Sequence, residues 1–567
     1  MSDTRYRVRE CDEVATEKLV SECGLSPWAA GLLARRGMSS KEGVESFLAP
    51  RLRDLTPPDS MADLDVAVDR IGQAIRTREQ IVVFGDYDVD GATSATIMAG
   101  VIERLGGRVE VLVANRFAGG YGFSEPALAR ALKHHPGLII TCDCGSSDHE
   151  RVAAAQVRGV DVIVIDHHLV PEETLPAVAF LNPHRPECGF PYKGLCSAGL
   201  AFLVGAGLRR ASKANIDMRE WLDLVALGTV ADVAPLDGDN RRLVRAGLRR
   251  IETRQVRPGV QALCEVSRMR KGSPVGAVDI AFRLAPRLNA PGRLGDPSLT
   301  VALLRARDIT EARALASEIE KINNRRKRLS ARMTDEALAQ VVSIYGEAPA
   351  AGVVLGSEKW NRGVVGIVAA RVSEQYGVPA VVIGFDGVGH GSARAPDGFP
   401  VYDALDSCRE HLLSMGGHQA AAGLSVEEGA MPAFREQFTE VSARLAAVHG
   451  SSERMLEVDL EVNPFDSGAP TADELLRFEP VGAGNAEPLF AFPGARIVER
   501  KEIGKGNLSL RLSWGAGETM RAFGYGMWHL ADTLPEQICP LGHLRLDGWR
   551  NDGSRELHLL APHAVKA

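Results

Sequence analysis

The chain has 567 residues, 45% hydrophobic and 25% charged, which at roughly 150 residues per domain leaves room for about three to four domains, each with its own core. A net charge of −7 excludes a wholly basic nucleic-acid coat, but not a basic groove within an acidic molecule. Nine cysteines, an odd number with no CxxC pair, exclude a disulfide framework and a zinc ribbon and point to reduced thiols in a cytoplasm.

The start, MSDTRYRVRECDEVATEK, is too polar for a secretory leader. Residues 1–60 read as an extension of short helices, with SPWAAGLLARRG (26–37) carrying an apolar face and 50–59 an irregular linker. A helix over 64–76, a strand over 81–84 and a helix from about 93 to 105 follow. Further apolar strands are expected over 110–114, 138–142, 160–165 and 178–181. Continuous apolar runs alternating with helical spacing predict a parallel sheet covered on both faces. The longest uncharged apolar run, 194–208, is too short and glycine-rich to span a bilayer, so no membrane partner is expected. A long helical tract over 299–345 carries the basic knot NNRRKRLSAR (323–332), which reads either as a solvated face or as a DNA-facing or interdomain helix. A second, smaller α/β unit follows over 352–445. From about 455, segments such as RIVERKEIGKGNLSLRLSW alternate like strands, which predicts a small C-terminal β-barrel.

The strongest chemical signal is IVVFGDYDVDGATSA (81–95), where a buried strand delivers Asp86, Asp88 and Asp90 onto the loop before a helix. Three carboxylates so close together repel unless a cation neutralises them. An EF-hand needs a bidentate Glu at its twelfth position, where Ile97 stands. An aspartyl-phosphate hydrolase also places its nucleophile after a strand, but the next strands extend the pattern. The strand over 138–142 ends in Asp143, that over 160–165 ends in Asp166, His167 and His168, and the apolar LVALGTVADVAPL closes on Asp232. Ligands gather at the carboxyl ends of strands in open α/β sheets, so the set reads as a metal centre. Oxygen donors with one or two imidazoles suit Mn²⁺ or Mg²⁺ rather than zinc, and the donor count suits two divalent ions. Cys142 should face away, while Cys144 has the option of approaching the site.

In this order DYDVDG, CDCG, DHH and GTVADVAPL resemble the four motifs of the DHH phosphoesterase superfamily. NRFAGGYGFS (115–124), LAPRLNAPGRLGDPSLTVALL (284–304), GVVGIVAARVSE (363–374), GSARAPDGFPVYDAL (391–405), GGHQAAAG (416–423) and PVGAGNAEPLF (480–490) narrow the likeness, over roughly 25–560, to its RecJ family of bacterial single-stranded-DNA exonucleases. The resemblance implies an N-terminal extension (1–60), a parallel-sheet DHH domain (61–298), connecting helices (299–346), a DHHA1 domain (347–450) and an OB-fold (451–567). It further implies a 5′→3′ exonuclease releasing 5′-mononucleotides in recombination and repair, with a single-stranded-DNA-binding protein and a helicase as partners.

Carried over, the resemblance makes Asp86, Asp88, Asp90, Asp143, His167, His168 and Asp232 the metal and catalytic set, with Asp143 bridging and Asp166 orienting an imidazole. It implies that Ser392 and Arg394, with Arg116 across a cleft, read the strand's 5′ end, Arg offering phosphate a bidentate fork. His418 is expected at the scissile phosphate, and Arg287, Asn289 and Arg293 in the substrate channel. A structural histidine and a surface ion pair are the plainer alternatives for His418 and Arg116. Trp514, Phe523, Tyr525 and Trp528 are stacking candidates or core. Cys144 stands where many relatives have Asn, and Asn361–Arg362 where many have His, which leaves the local substrate contacts open. A DHH phosphodiesterase for short oligoribonucleotides or cyclic dinucleotides, and an inactive DNA-binding scaffold, are the rival readings. The C-terminal β-domain counts against the first and the intact acids against the second.

Overall fold

The computed structural model describes residues 4–118, 120, 122–419, 421–449, 455–515, 517–547 and 554–567. The expected boundary at 450/451 and parts of the 115–124 and 416–423 motifs lie outside them. The chain opens with strand β1 (Arg5–Val8) and helices α1 (Glu13–Cys23), α2 (Pro27–Arg35) and α3 (Lys41–Leu48).

A regular α/β unit follows: α4 (Leu64–Thr77), β2 (Gln80–Gly85), α5 (Val89–Arg104), β3 (Arg108–Val113), α6 (Glu125–Leu132), β4 (Leu138–Cys142), α7 (His149–Val157), β5 (Asp161–Ile165) and β6 (Ala179–Leu181). The five strands form a wholly parallel sheet in the order β3-β2-β4-β5-β6. Alternation decides the faces. Ile81, Val83, Ile140 and Ile163 join one core, which includes α8 (Ser197–Ser212) and α9 (Leu222–Ala231). Val82, Phe84, Ile139 and Val162 join a second core with α6 and α7. From β2 the chain crosses one way to β3 and then back to β4, so the strand order reverses between β2 and β4. That crevice is where such sheets bind ligands.

Helices α10 (Gly238–Thr253) and α11 (Pro258–Val266) lead to three short turns, α12 (Ala277–Asp279), α13 (Ala285–Leu288) and α14 (Ala290–Leu294), then α15 (Ser298–Arg305) and α16 (Ile309–Tyr345). The expected tract over 299–345 is thus two helices: Ala306 is extended, and the Asp308 carboxylate caps the amides of Thr310 and Glu311 to restart the helix. At 37 residues α16 is about 55 Å long. Its Ala312, Ala316 and Ile319 sit in the core with α8 and α9, and its Met333, Ala337 and Val341 in the next domain, so it is a strut between two cores. In the basic knot Arg325, Lys327, Arg328 and Arg332 are exposed, whereas Asn323 and Ser330 are buried. The segment is therefore an interdomain helix with a solvated basic back.

The second α/β unit comprises β7 (Val353–Ser357), α17 (Val365–Tyr376), β8 (Ala380–Asp386), β9 (Val388–Arg394), α18 (Val401–Asp406), β10 (Leu412–His418), β11 (Ala421–Glu427) and α19 (Met431–His449). Its sheet runs β10-β11-β9-β8-β7, parallel only between β7 and β8. The C-terminal part holds β12 (Met455–Val458), β13 (Leu460–Glu461), α20 (Ala472–Arg477), β14 (Phe490–Ala491), β15 (Ala495–Ile503), β16 (Asn507–Ser513), β17 (Thr519–Gly524), β18 (Gln537–Ile538), β19 (Leu541–Leu546), β20 (Arg555–Ala561) and β21 (Val565–Lys566). Eight of these strands make the expected OB-type β-domain, in the order β13-β14-β19-β20-β17-β16-β15-β18.

The opening 60 residues hold the expected short helices, preceded by a strand, and they pack into the C-terminal domain. Leu19, Trp28, Leu32 and Leu33 share a core with Phe478, Phe490 and Leu508. Strand β1 lies between β12 and β21 in a parallel three-stranded sheet. The pairing is non-local, so no local periodicity announces it.

Candidate metal centre and phosphate pocket

The site sits in the β2/β4 crevice. The sequence suggests a helix from about Thr93, yet α5 begins at Val89, because Asp88 is its N-cap and accepts from the Gly91 amide at 3.0 Å. Asp86 therefore leaves the strand end, Asp88 caps, and Asp90 points from the first helical turn. Gly91 makes this possible: a Cβ there would stand 2.5 Å from the backbone of Asp86. Asp143 follows β4 at φ 64, and Val233, next to Asp232, has φ 60. Left-handed backbone costs a non-glycine residue energy, most of all a β-branched one, and such strain gathers at functional sites.

Each carboxylate has a distinct setting. Asp90 is gripped by the N-terminus of α8, where the amides of Ser197 and Ala198 donate to it at 2.7 and 2.9 Å. Asp86 Oδ1 accepts from the Gly122 amide at 3.2 Å, while its Oδ2 is buried without a partner. His167 Nε2 lies 3.2 Å from Asp143 Oδ1, 3.9 Å from Asp90 Oδ2 and 3.8 Å from Asp232 Oδ2. Asp166 spends its oxygens on the amides of Ser146, His167 and His168 and on His168 Nδ1 at 2.7 Å. Asn182 donates to Ser146 Oγ and the His168 carbonyl, bracing the same turn.

The electrostatics follow from burial and crowding. Burial and then the neighbouring Asp88, Asp90, Asp86 and Asp232 push the Asp143 carboxyl well above the usual range. Burial and Asp88 do the same to Asp86. Burial raises Asp90, and burial with Asp90 and Asp88 raises Asp232 to about 8. Asp166 goes the other way: burial opposes its ionisation, but the His168 hydrogen bond and charge hold it low. Burial lowers His167, whereas Asp166 overcomes burial to raise His168 to about 9.

An orphaned buried oxygen and four acids each raised by burial and like charge make a donor set that fits a divalent cation. The donors fall into overlapping sets able to hold one ion each: Asp86, Asp88 and Asp143; Asp143, His167 and His168; Asp90, His167 and Asp232. Cys144 is not among them. Its thiol lies in the core with Phe84, Phe123 and Val164, 3.7 Å from the Cys142 carbonyl, and burial pushes its pKa well up.

Opposite the acids stands a cluster of arginines. Arg116 lies over the Tyr87 ring at 4.5 Å, with its buried Nε unpartnered. Arg293 reaches the Gly363 carbonyl at 3.3 Å, and burial followed by repulsion from Arg116 and Arg326 pulls its pKa down to about 10. Arg394 donates to Ser392 Oγ at 2.7 Å, and burial lowers it too. Among the described residues, Arg116, Arg293 and Arg394 form no ion pair with a carboxylate, so the cluster carries positive charge that no acid neutralises. Sequence alone does not reveal Tyr87, the α8 amides or Ser146 as parts of the site, because no local pattern tells which carboxylate a distant amide will face.

Two of the expected channel residues, Arg287 and Asn289, and His418, expected at the scissile phosphate, lie outside this cluster of charges. Arg287 is paired with Glu320 of α16 at 2.7 Å and donates to the Arg283 carbonyl, so it braces the strut. Asn289 is half-buried on the turn before α14. His418 is exposed at the end of β10, and among the described residues no hydrogen bond or ion pair ties it to the acids.

Family models agree with this layout: "DHH family, N-terminal domain" matches residues 80–229, "DHHA1 domain" 344–444 and "RecJ OB domain" 458–561. The single-stranded-DNA-specific exonuclease RecJ of Dickeya dadantii is 36% identical over 564 residues, covering 94% of this chain and 95% of that protein. The chain belongs to the RecJ family. The RecJ of Bacillus subtilis is 32% identical over 97% of this chain and 70% of its own. The crystal structure of Thermus thermophilus RecJ in complex with Mn²⁺ superposes with a TM-score of 0.83 at 30% identity, over 100% of this chain and 80% of that one. The Mg²⁺ complex of the same RecJ gives 0.77 at 29% identity. No helix among the described residues is long and apolar enough to cross a membrane.

Proposed function

We propose that this RecJ-family chain is a metal-dependent exonuclease that degrades single-stranded DNA from its 5′ end, releasing 5′-mononucleotides. The observation that carries this reading is the pairing of an acid-rich donor cluster with an arginine pocket in one crevice. The acids suit divalent cations and the arginines suit a phosphate, so a terminal phosphate and the next phosphodiester bond are engaged together. When bound, two ions, Mn²⁺ or Mg²⁺, supply a nucleophile from water at neutral pH and offset charge developing on the phosphoryl oxygens.

Asp86, Asp88, Asp90, Asp143, His167, His168 and Asp232 hold the ions. The overlap of the donor sets at Asp143 and His167 supports two ions with Asp143 between them. Asp166, saturated by four donors, orients His168 rather than binding metal. Ser392, Arg394, Arg116 and Arg293 grip the 5′-phosphate. His418 takes part only if β10 moves toward the scissile phosphate on substrate binding, and Asn289 lines the approach. The units 61–298, 299–346, 347–450 and 451–567 then serve as catalytic domain, strut, phosphate-gripping domain and strand-binding domain. Work in cytoplasmic recombination and repair, with a single-stranded-DNA-binding protein and a helicase, belongs to this reading through the family alone.

The test is degradation of an internally labelled oligonucleotide of about 40 nucleotides with Mn²⁺ or Mg²⁺, single-stranded or duplex, with each end blocked in turn. Mononucleotide release stopped only by a 5′ block is the expected result. Turnover of di- or trinucleotides alone would identify a short-oligonucleotide phosphodiesterase, and no turnover would identify a scaffold.

A further inference from the structure

Phe117 is a large apolar side chain left 40% exposed beside the most charged crevice of the molecule. It is not loosely held. Its amide donates to Asn115 Oδ1 at 2.9 Å, and Arg116 next to it is stacked on Tyr87, which separates two of the acids. Further along the same loop the Gly122 amide binds Asp86 itself. The loop is thus fixed to the acid cluster on both sides of Phe117. From the opposite domain, the Arg362 guanidinium lies over the Phe117 ring at 4.9 Å. A cation lies over the ring, and the ring is still 40% exposed. Beneath the pair lies a recess of about 320 Å³, lined by Phe117, Arg362, Trp360, Asn361 and the end of β8. Arg362 adjoins Gly363, which touches Arg293 of the phosphate pocket.

We propose that Phe117, backed by Arg362, is the stacking platform for the base of the strand's 5′-terminal nucleotide. The inference rests on the exonuclease reading and adds to it the group that positions the first base. An aromatic face takes any base, because every base has a π-face, and it suits an enzyme that must accept each nucleotide in turn. A guanidinium on the far face polarises and immobilises the ring, so little order is lost when a base arrives. Phe117 is a positioning residue: it fixes the sugar between the phosphate held by the arginines and the bond to be cut.

The test is a cycle of enzyme and substrate changes, read as KM and kcat. Wild-type enzyme and Phe117→Ala are each given a 5′-phosphorylated single strand whose first nucleotide is intact or abasic. The expected result is a KM about tenfold higher for wild type on the abasic strand. Phe117→Ala should show the same rise on the intact strand and no further rise on the abasic one. Phe117→Leu, which keeps the volume without the ring, should behave like Ala, and Phe117→Trp like wild type. Because the ring is part-exposed, these variants should retain the wild-type Tm. Effects that multiply, or a Leu variant that matches wild type, would overturn the platform. Failure of wild type to cut any single strand would instead overturn the exonuclease reading, and the platform with it.

Discussion

In the metal-free protein Asp86, Asp90, Asp143 and Asp232 sit above the ordinary carboxyl range of about 4. A group whose pKa is raised on folding gives stability at low pH and loses it as pH climbs through the folded value. Asp232, at about 8, and His168, at about 9, act in this sense. His167, lowered, acts in the opposite sense but has finished titrating above about pH 6.5. The Tm of EDTA-treated protein should therefore fall between about pH 6.5 and 9. Saturating Mn²⁺ should abolish the fall, since bound cations keep the acids ionised; a flat profile without metal would count against the crowded cluster. Asp166→Asn should weaken Mn²⁺ binding about 10–100-fold by releasing the imidazole it orients, as read by metal titration. Arg394→Met should cut the preference for a 5′-phosphate over a 5′-hydroxyl end by about ten- to hundredfold; equal losses on both ends would refute its role. These residues were legible because each acid ends an apolar segment. Their partners were not: the Ser197 amide that grips Asp90 lies 107 positions away.

At the scale of elements, the strands of the catalytic sheet follow the expected runs closely, because a strand buried on both faces is written as unbroken apolar sequence. The errors fall where capping outweighs composition. Three aspartates and a glycine read as loop, but Asp88 satisfies an orphan amide and the helix starts at Val89. The same chemistry at Asp308 divides the tract before α16. The close approach of α5 to β2 gives a test. In Gly91→Ala the new methyl meets the Asp86 backbone, an overpacking that should cost about 1–3 kcal/mol in urea melts. It should also lower kcat about hundredfold by shifting a metal ligand. A kcat within twofold of wild type would show that the loop adjusts freely.

Across the whole molecule, the catalytic crevice is walled by two domains whose separation is set by one rigid helix, with the Arg287–Glu320 pair fastening that helix to the catalytic side. The C-terminal domain is completed from the other end of the chain. Tyr6, buried to 2%, donates to Glu461 at 2.9 Å within a core that includes Val458, Leu541 and Ala561. Tyr6→Ala should cost about 3 kcal/mol, seen as early proteolysis of the C-terminal domain. KM should rise on long strands while turnover of very short ones is kept; loss of both activities together would mean that the domains do not melt separately. None of this was readable from residues 5–8, whose partners lie some 450 positions on.

That first strand has a consequence for biosynthesis. Its neighbours are Met455–Val458 and Val565–Lys566, and the amide of Ala567 bonds the Tyr6 carbonyl at 2.9 Å. At about 5–20 residues per second, the opening segment waits about 20–90 s for its first partner strand to emerge from the ribosome. Its second partner strand lies about 110 positions further on. Throughout that interval Leu19, Trp28, Leu32 and Leu33 have no C-terminal domain to cover them. A product that stops short of Val565 keeps one edge of the opening strand bare, so synthesis must run some 560 residues past that strand before both of its edges are covered.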